Sequence, residues 1–349
     1  MKFKKTIQIG NFIISEDAPV FIIAEAGVNH NGEIELAKKL IDVAVECGAD
    51  AVKFQSFITE ELILDNVEKA TYQKETTAKT ESQFSMLKKL EFAVSNMKLL
   101  KAYCREKNIL FLTTPFDEKS LELLDELDLE AYKISSTDTT NIGFIRRVAK
   151  KGKPVIISTG MCYMQEVETA LEALSEENQE VILLQCTSNY PVKDHEVHLN
   201  VIQTFKDRFD MIVGFSDHTP SIGASPYAVS MGAKVVEKHF TLDKSMEGPD
   251  HRASLDPAEL KAYITEIRRV ELYLGNPSKE PTEDEKETRN RLQKCLVAAI
   301  PIADGEVFSE DNIVAKRTGG KGISAIEYDA VVGKKANRDY KKNEIIEIG

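Results

Sequence analysis

Gly214-Phe-Ser-Asp-His218-Thr219 and Val235-Val-Glu237-Lys-His239-Phe240 are two short apolar runs, rich in β-branched residues, that each end in polar groups. A buried parallel strand has this pattern, hydrophobic through the sheet and polar where it emerges at a ligand-binding rim. The interval from Ser221 to Gly232 has the length of one crossover helix, so the two strands are expected as parallel neighbours. His218 and His239 then stand side by side at adjacent carboxyl ends, and period-2 alternation puts Glu237 on the same face as His239. A lone buried histidine would be structural. Two that converge on an open pocket point to a metal with free coordination positions, or to a general acid and base.

The same pattern recurs outward from this pair. Candidate strands are Val20–Gly27, Ala51–Phe57, Ile109–Phe116, Ala131–Ser136, Pro154–Gly160, Val181–Ser188, Met211–Thr219 and Lys234–Thr241. Amphipathic stretches such as Glu33–Cys47, Glu118–Leu127, Gln165–Leu174 and Pro257–Leu274 separate them. Eight strand–helix units in about 250 residues match a (β/α)8 TIM barrel. A doubly wound open sheet is the alternative, but the glycine fingerprint it needs after its first strand is absent. Thr6–Ile14 is expected as a further strand ahead of the barrel. The long polar connection from Ile58 to about Glu91, carrying Tyr72-Gln-Lys-Glu-Thr-Thr77, has the length of a lid or binding loop.

Residues 1–275 are thus expected as the barrel, and 276–290 as a linker, being charged, proline-containing and without an apolar face. Residues 291–349 follow as a small β-rich domain. Cys295–Ile302, Gly305–Phe308 and Asn343–Ile348 are its candidate strands, with Lys316–Gly322 an exposed glycine-rich loop.

In such a barrel the chemistry sits where the strands meet the βα loops. Polar residues at those ends include Glu25, Lys53, Gln55, Thr114, Lys133, Ser135, Ser136, Asp138, Ser158, Tyr190, Ser216, His218, Glu237 and His239. Lysine supplies point charge and serine or threonine supplies donors, so Lys53 and Lys133 beside Thr114 and Ser158 form a candidate cradle for a phosphate or carboxylate. Imidazoles with water and substrate oxygens suit Mn²⁺ or a similar ion better than a closed structural zinc site.

Composition narrows the setting. The 349 residues are 42% hydrophobic and 29% charged, with no run long enough to span a membrane and no secretion signal at the start. A net charge of −12 argues against a nucleic-acid partner. Five scattered cysteines, without metal-ligand spacing, fit a reduced cytoplasmic setting.

The motifs Ala24-Glu25-Ala-Gly-Val-Asn29-His30-Asn-Gly32, Lys53-Phe-Gln55, Thr114-Pro-Phe116, Lys133-Ile134, Ser158-Thr-Gly-Met161, Tyr190-Pro191, Gly248-Pro-Asp250-His251 and Lys316-Arg317, together with the two histidine runs, closely resemble those of the sialic acid synthase family. The resemblance spans nearly the whole chain, and the C-terminal part resembles that family's antifreeze-like (SAF, β-clip) domain. It implies condensation of phosphoenolpyruvate with an N-acylmannosamine-type sugar and release of phosphate by C–O cleavage. N-acetylneuraminate would be the product, or legionaminate from a 2,4-diacetamido-2,4,6-trideoxymannose. It further implies a divalent metal on His218 and His239, Mn²⁺ with Mg²⁺ or Co²⁺ as alternatives. Lys53, Thr114, Lys133, Ser136 and Ser158 would hold phosphoenolpyruvate. Glu25 would act near the reacting carbons, and Gln55, Tyr190, Glu237 and Asp250 would contact the sugar. Arg317 would reach the N-acyl group from the small domain of the partner in a domain-swapped homodimer.

Three segments depart from the family pattern. A Lys-Ile-Pro-Ser-Gly-Glu type segment is here Lys133-Ile-Ser-Ser-Thr-Asp138, Lys-Arg-Pro-Gly is Lys316-Arg-Thr-Gly319, and Arg-Lys-Ser is Gln293-Lys-Cys295. Two other readings compete. A Schiff-base aldolase using Lys133 or Lys53 leaves the histidine pair idle, and a non-catalytic sugar-binding protein leaves the strand-end cluster unexplained.

Overall fold

A computed structural model describes residues 1–69, 77 and 81–348. The chain divides into two compact units, Met1–Gly275 and Asn276–Gly349.

Among the described residues of the first unit the strands are β1 (Thr6–Ile9), β2 (Phe12–Ser15), β3 (Phe21–Gly27), β4 (Ala51–Ser56), β5 (Leu110–Pro115), β6 (Tyr132–Ile134), β7 (Val155–Ser158), β8 (Val181–Cys186), β9 (Ile212–Asp217) and β10 (Val235–His239). The last eight form one parallel sheet in the order β5-β4-β3-β10-β9-β8-β7-β6. Its first and last members lie side by side, which brings the sheet nearly to closure as a TIM-type barrel. Helices follow the strands, among them α1 (Ile34–Cys47) after β3 and α2 (Pro257–Leu274) after β10. The second of these starts at an Asp256–Glu259 capping box with Pro257 at its first position, where a missing N–H costs nothing.

Alternation along each strand assigns the two faces. On β10, Val236 packs outward among the helices while Val235 joins the barrel interior; on β3, Ile22 and Ala24 face out and Phe21 and Ile23 face in. Interior positions are apolar at the amino ends (Phe21, Ala51, Leu112, Ile182, Ile212, Val235) and polar two or four residues later. One end of the barrel is therefore core, and the other is a site.

The run Thr6–Ile14, expected as one strand, is a hairpin. Gly10 adopts φ 57°, a left-handed conformation that ends an extended run, and β2 returns along β1 with Ile7 opposite Ile14. Ile7, Ile9 and Ile14 are buried in the same cluster as the interior residues at the strands' amino ends, so the hairpin plugs the barrel floor. The connection after β4 carries helices Thr59–Leu62 and Gln83–Leu90. Of the Tyr72–Thr77 segment, all but Thr77 lies outside the described residues.

In the second unit, the stretch of linker composition leads into a helix, Glu283–Leu292, with a Thr282–Glu285 capping box and no buried residue. β11 (Lys294–Ala298) pairs antiparallel with β12 (Ile313–Arg317), a strand not expected from the sequence. Of the other candidate strands, Gly305–Phe308 and Asn343–Ile348 make only isolated bridges, Val307 with Lys335 and Ile345 with Val297. Leu296, Ile302, Phe308, Ile313, Tyr340 and Ile346 form the core of this unit.

Candidate active site

The carboxyl ends of the barrel strands open into a cleft of about 480 Å³. That lies within the usual range for a small-molecule site. Glu25 reaches it from β3, Lys53 and Gln55 from β4, Thr114 from β5, Lys133 from β6, Ser158 from β7, and Glu237 and His239 from β10. Ser136, Tyr190, His218 and Asp250 come from the loops just beyond β6, β8, β9 and β10. Of the thirteen residues expected to act in catalysis or in substrate or metal binding, twelve therefore line one cavity. Arg317 is the exception: it belongs to the second unit, exposed at the end of β12.

Lys53 and Lys133 are both 3% exposed. Burial of two ammonium groups needs compensation, and the cleft supplies it. Lys53 Nζ lies 2.8 Å from Glu25 Oε2 and donates to Thr114 Oγ1 at 3.1 Å. Lys133 Nζ donates to Ser158 Oγ at 2.7 Å. Glu237 sits between the lysines, 3.7 Å from Lys53 and 3.8 Å from Lys133, and accepts from Ser216 Oγ. Burial alone would raise both carboxyls. For Glu237 the two lysines outweigh it and hold the group below its ordinary value. For Glu25 burial prevails over Lys53, and the charge on Glu237 adds to the rise. Burial also lowers Lys133, while the two glutamates keep Lys53 above its ordinary value. Two carboxyls pushed in opposite directions within one cleft are what a donor and an acceptor of protons require.

The ring centroids of His218 and His239 are 5.8 Å apart. His218 Nδ1 donates to the Thr187 carbonyl at 2.8 Å, since a carbonyl can only accept, and this leaves the lone pair on Nε2, where the Tyr190 hydroxyl donates at 2.9 Å. His239 Nδ1 is buried with no hydrogen-bond partner, and burial, reinforced by His218 and Lys53, keeps the ring neutral. A neutral ring with an unsatisfied buried nitrogen, facing a second ring whose tautomer is fixed, fits a divalent cation. Among the described residues no group of three or more histidine, cysteine or acidic side chains gathers as a metal cage. The protein would then supply two ligands, leaving the other positions to oxygen atoms. Gly27, at φ 53°, closes β3 beside the pair; a side chain there would crowd Gln55, Glu25 and His239.

Several lining residues were not singled out from the sequence. Cys186 is one: its Sγ lies 3.8 Å from His218 Nδ1. It lies two residues beyond inward-facing Leu184 on β8, so alternation puts it on the inner face without marking it as part of the site. An apolar wall of Phe57, Leu62, Ile63, Met86 and Leu87 comes from the connection after β4. Asp138 does not line the cleft; its carboxylate accepts from Thr137 and Asn141. All five cysteines are free, and among the described residues no helix is long and apolar enough to cross a membrane.

Fold and site together define a parallel-barrel enzyme with its chemistry at the strand carboxyl ends, equipped for an anionic substrate beside two imidazoles. The chain belongs to the NeuB family, whose model matches residues 40–279, and a SAF domain matches residues 293–347. It is 47% identical to the N,N'-diacetyllegionaminic acid synthase of Campylobacter jejuni, over 93% of this chain and 98% of that protein. Human N-acetylneuraminate-9-phosphate synthase is 37% identical over 91% of this chain and 88% of its own. A crystal structure of N-acetylneuraminic acid (sialic acid) synthetase from Leptospira borgpetersenii superposes with a TM-score of 0.73 at 37% identity, covering 83% of this chain and 98% of that one.

Proposed function

We propose that this chain condenses phosphoenolpyruvate with the open-chain aldehyde of an N-acylmannosamine-type sugar, giving a nine-carbon 2-keto acid and inorganic phosphate. The observation that carries the reading is the pair of buried lysines, each bonded to a hydroxyl, in the same cleft as the two imidazoles. Lys53 and Lys133, with Thr114, Ser136 and Ser158, hold the phosphate and carboxylate of phosphoenolpyruvate. As that anion arrives, the lysines exchange part of their attraction to Glu25 and Glu237 for it. Glu25, the carboxyl that burial drives toward its neutral form, serves the reacting carbons. Glu237, Gln55, Tyr190 and Asp250 receive the sugar's hydroxyls. Arg317, supplied by a second copy in a homodimer, receives the N-acyl oxygen.

His218 and His239 would hold a divalent cation, Mn²⁺ by its match to imidazole and oxygen donors. Bound there, it polarises the aldehyde oxygen. His218 Nε2 would then release the Tyr190 hydroxyl to the sugar.

In the reaction, C3 of phosphoenolpyruvate bonds to the aldehyde carbon, whose oxygen becomes a hydroxyl. Water adds at C2, the C2–O bond breaks, and phosphate leaves with the bridging oxygen. N-acetylmannosamine is the sugar of this reading. The 2,4-diacetamido-2,4,6-trideoxy sugar is a second reading, favoured by the 47% identity to a legionaminic acid synthase. Purified protein supplied with Mn²⁺, phosphoenolpyruvate and each sugar should release phosphate only when a sugar is present. Prior chelation should abolish the release. In ¹⁸O-labelled water the phosphate should stay unlabelled; label in phosphate means P–O cleavage and rejects the mechanism.

A further inference from the structure

His218 and His239 each follow a residue that points the other way. Asp217 and Lys238 occupy facing register positions on β9 and β10, on the side of the sheet turned toward the helices. Lys238 Nζ lies 3.1 Å from Asp217 Oδ1, and the two side chains are 3% and 0% exposed. A buried ion pair persists only if its remaining donors and acceptors are also met, and here they are. Lys238 Nζ donates to the Thr219 carbonyl at 2.6 Å and lies 5.8 Å from the centre of the Tyr263 ring. Asp217 Oδ1 accepts from the Thr219 N–H and hydroxyl, and Oδ2 from the Ser225 N–H and hydroxyl. Tyr263 on α2 donates in turn to Ser225 Oγ at 2.8 Å. Gly223 closes over the network, where a Cβ would overlap the Thr219 hydroxyl. Nothing in this network enters the cleft.

We propose that the Asp217–Lys238 pair is a positioning clamp for the two imidazoles. It cross-links, from behind the sheet, the residues that directly precede His218 and His239, and its Thr219 bonds hold the turn just after His218. The strand ends are thereby fixed at the separation that a cation shared between the rings needs. Side chains in a binding constellation must be held to within about half an ångström by supporting groups behind them. Lys53 and Lys133 stand on β4 and β6 and share no bond with the clamp. The inference rests on the reading of the histidine pair as a cation site.

The test measures Mn²⁺ binding to metal-free protein by electron paramagnetic resonance of the free ion, and phosphoenolpyruvate binding by calorimetry. Lys238→Met would leave the Asp217 charge buried alone and can fail to fold, so the double variant Asp217→Asn, Lys238→Met is made beside it. Ile14→Ala, at the barrel floor, is the control for a general loss of stability. In whichever clamp variant keeps the parent's circular dichroism, the Mn²⁺ dissociation constant should rise at least tenfold. Phosphoenolpyruvate affinity should stay within about twofold, and Ile14→Ala should bind Mn²⁺ like the parent. Parent-like Mn²⁺ affinity in the double variant, or an equal loss in Ile14→Ala, overturns the clamp. If His218→Ala does not weaken Mn²⁺ binding by the parent protein, the cation reading itself fails and takes the clamp with it.

Discussion

Asp250, a proposed sugar contact, carries a stability cost. Burial pushes its carboxyl up from 3.8 to about 6, with His218 pulling the other way. Because the folded value lies above the unfolded one, folding favours the protonated carboxyl. That contribution is fully present below about pH 4 and is lost as pH rises through about 6. Removing the charge should therefore stabilise the protein at neutral pH. Asp250→Asn is expected to melt higher than the parent above pH 6, equivalent to at most ~3 kcal/mol for a shift of this size, with the difference vanishing near pH 3 in a melting series. The same substitution should raise the sugar KM while leaving that for phosphoenolpyruvate nearly unchanged. Equal melting temperatures at every pH would mean that the carboxylate is not desolvated. The polar members of this site on the barrel strands were legible because each interrupts an apolar run at its carboxyl end, which for Lys53, Lys133 and Glu237 has no cheap structural explanation; Asp250 follows no such run and was reached only through the family resemblance. Cys186 was not legible, because a cysteine closing Val-Ile-Leu-Leu-Gln reads as ordinary core.

At the scale of elements, a strand can place its residues correctly only if the next turn leaves room for them. Gly160 follows β7, and its N–H donates to Ser136 Oγ at 2.9 Å. A Cβ at Gly160 would come within 2.9 Å of that same oxygen and overlap the Ser188 hydroxyl. Its backbone is not in the left-handed region, so alanine can adopt it and the cost is one of space. Gly160→Ala should keep the fold at a loss of about 1–3 kcal/mol for overpacking. It should lower kcat/KM for phosphoenolpyruvate by about 10- to 100-fold, the order expected when a positioned group is displaced by roughly an ångström. An unchanged kcat/KM would remove Ser136 from the anion cradle. The strands and helices of the barrel were readable because each buries one continuous apolar face. The elements that were misread fail that condition. The hairpin looked like one alternating strand because Gly10-Asn11 is a two-residue turn between segments of the same period. β12 was hidden because Lys316 and Arg317 are exposed, so half of it reads as loop. The apolar cleft wall after β4 is scattered through a polar connection and comes together only by folding.

At the scale of the whole molecule, the barrel was legible because eight like units leave few topologies open, and its floor and mouth follow from where interior positions turn from apolar to polar. The second unit is small for an independent core and presents Arg317 exposed at the end of β12. A guanidinium can receive an amide oxygen through two parallel N–H donors, a contact lysine does not reproduce. In the proposed homodimer that arginine serves the barrel of the other copy. Arg317→Ala should therefore raise the sugar KM far more than that for phosphoenolpyruvate, and Arg317→Lys should not restore it. The arrangement between copies can be tested by complementation. Glu25→Ala protein has an inactive barrel but an intact Arg317, and Arg317→Ala protein has the reverse. When the two are mixed and refolded together, about half of the dimers pair one of each, and each such dimer holds a single complete site. At a sugar concentration low enough that Arg317→Ala protein alone turns over little, activity should recover to roughly a quarter of the parent value. If mixed dimers verified by differential tagging remain inactive, Arg317 serves its own barrel or none.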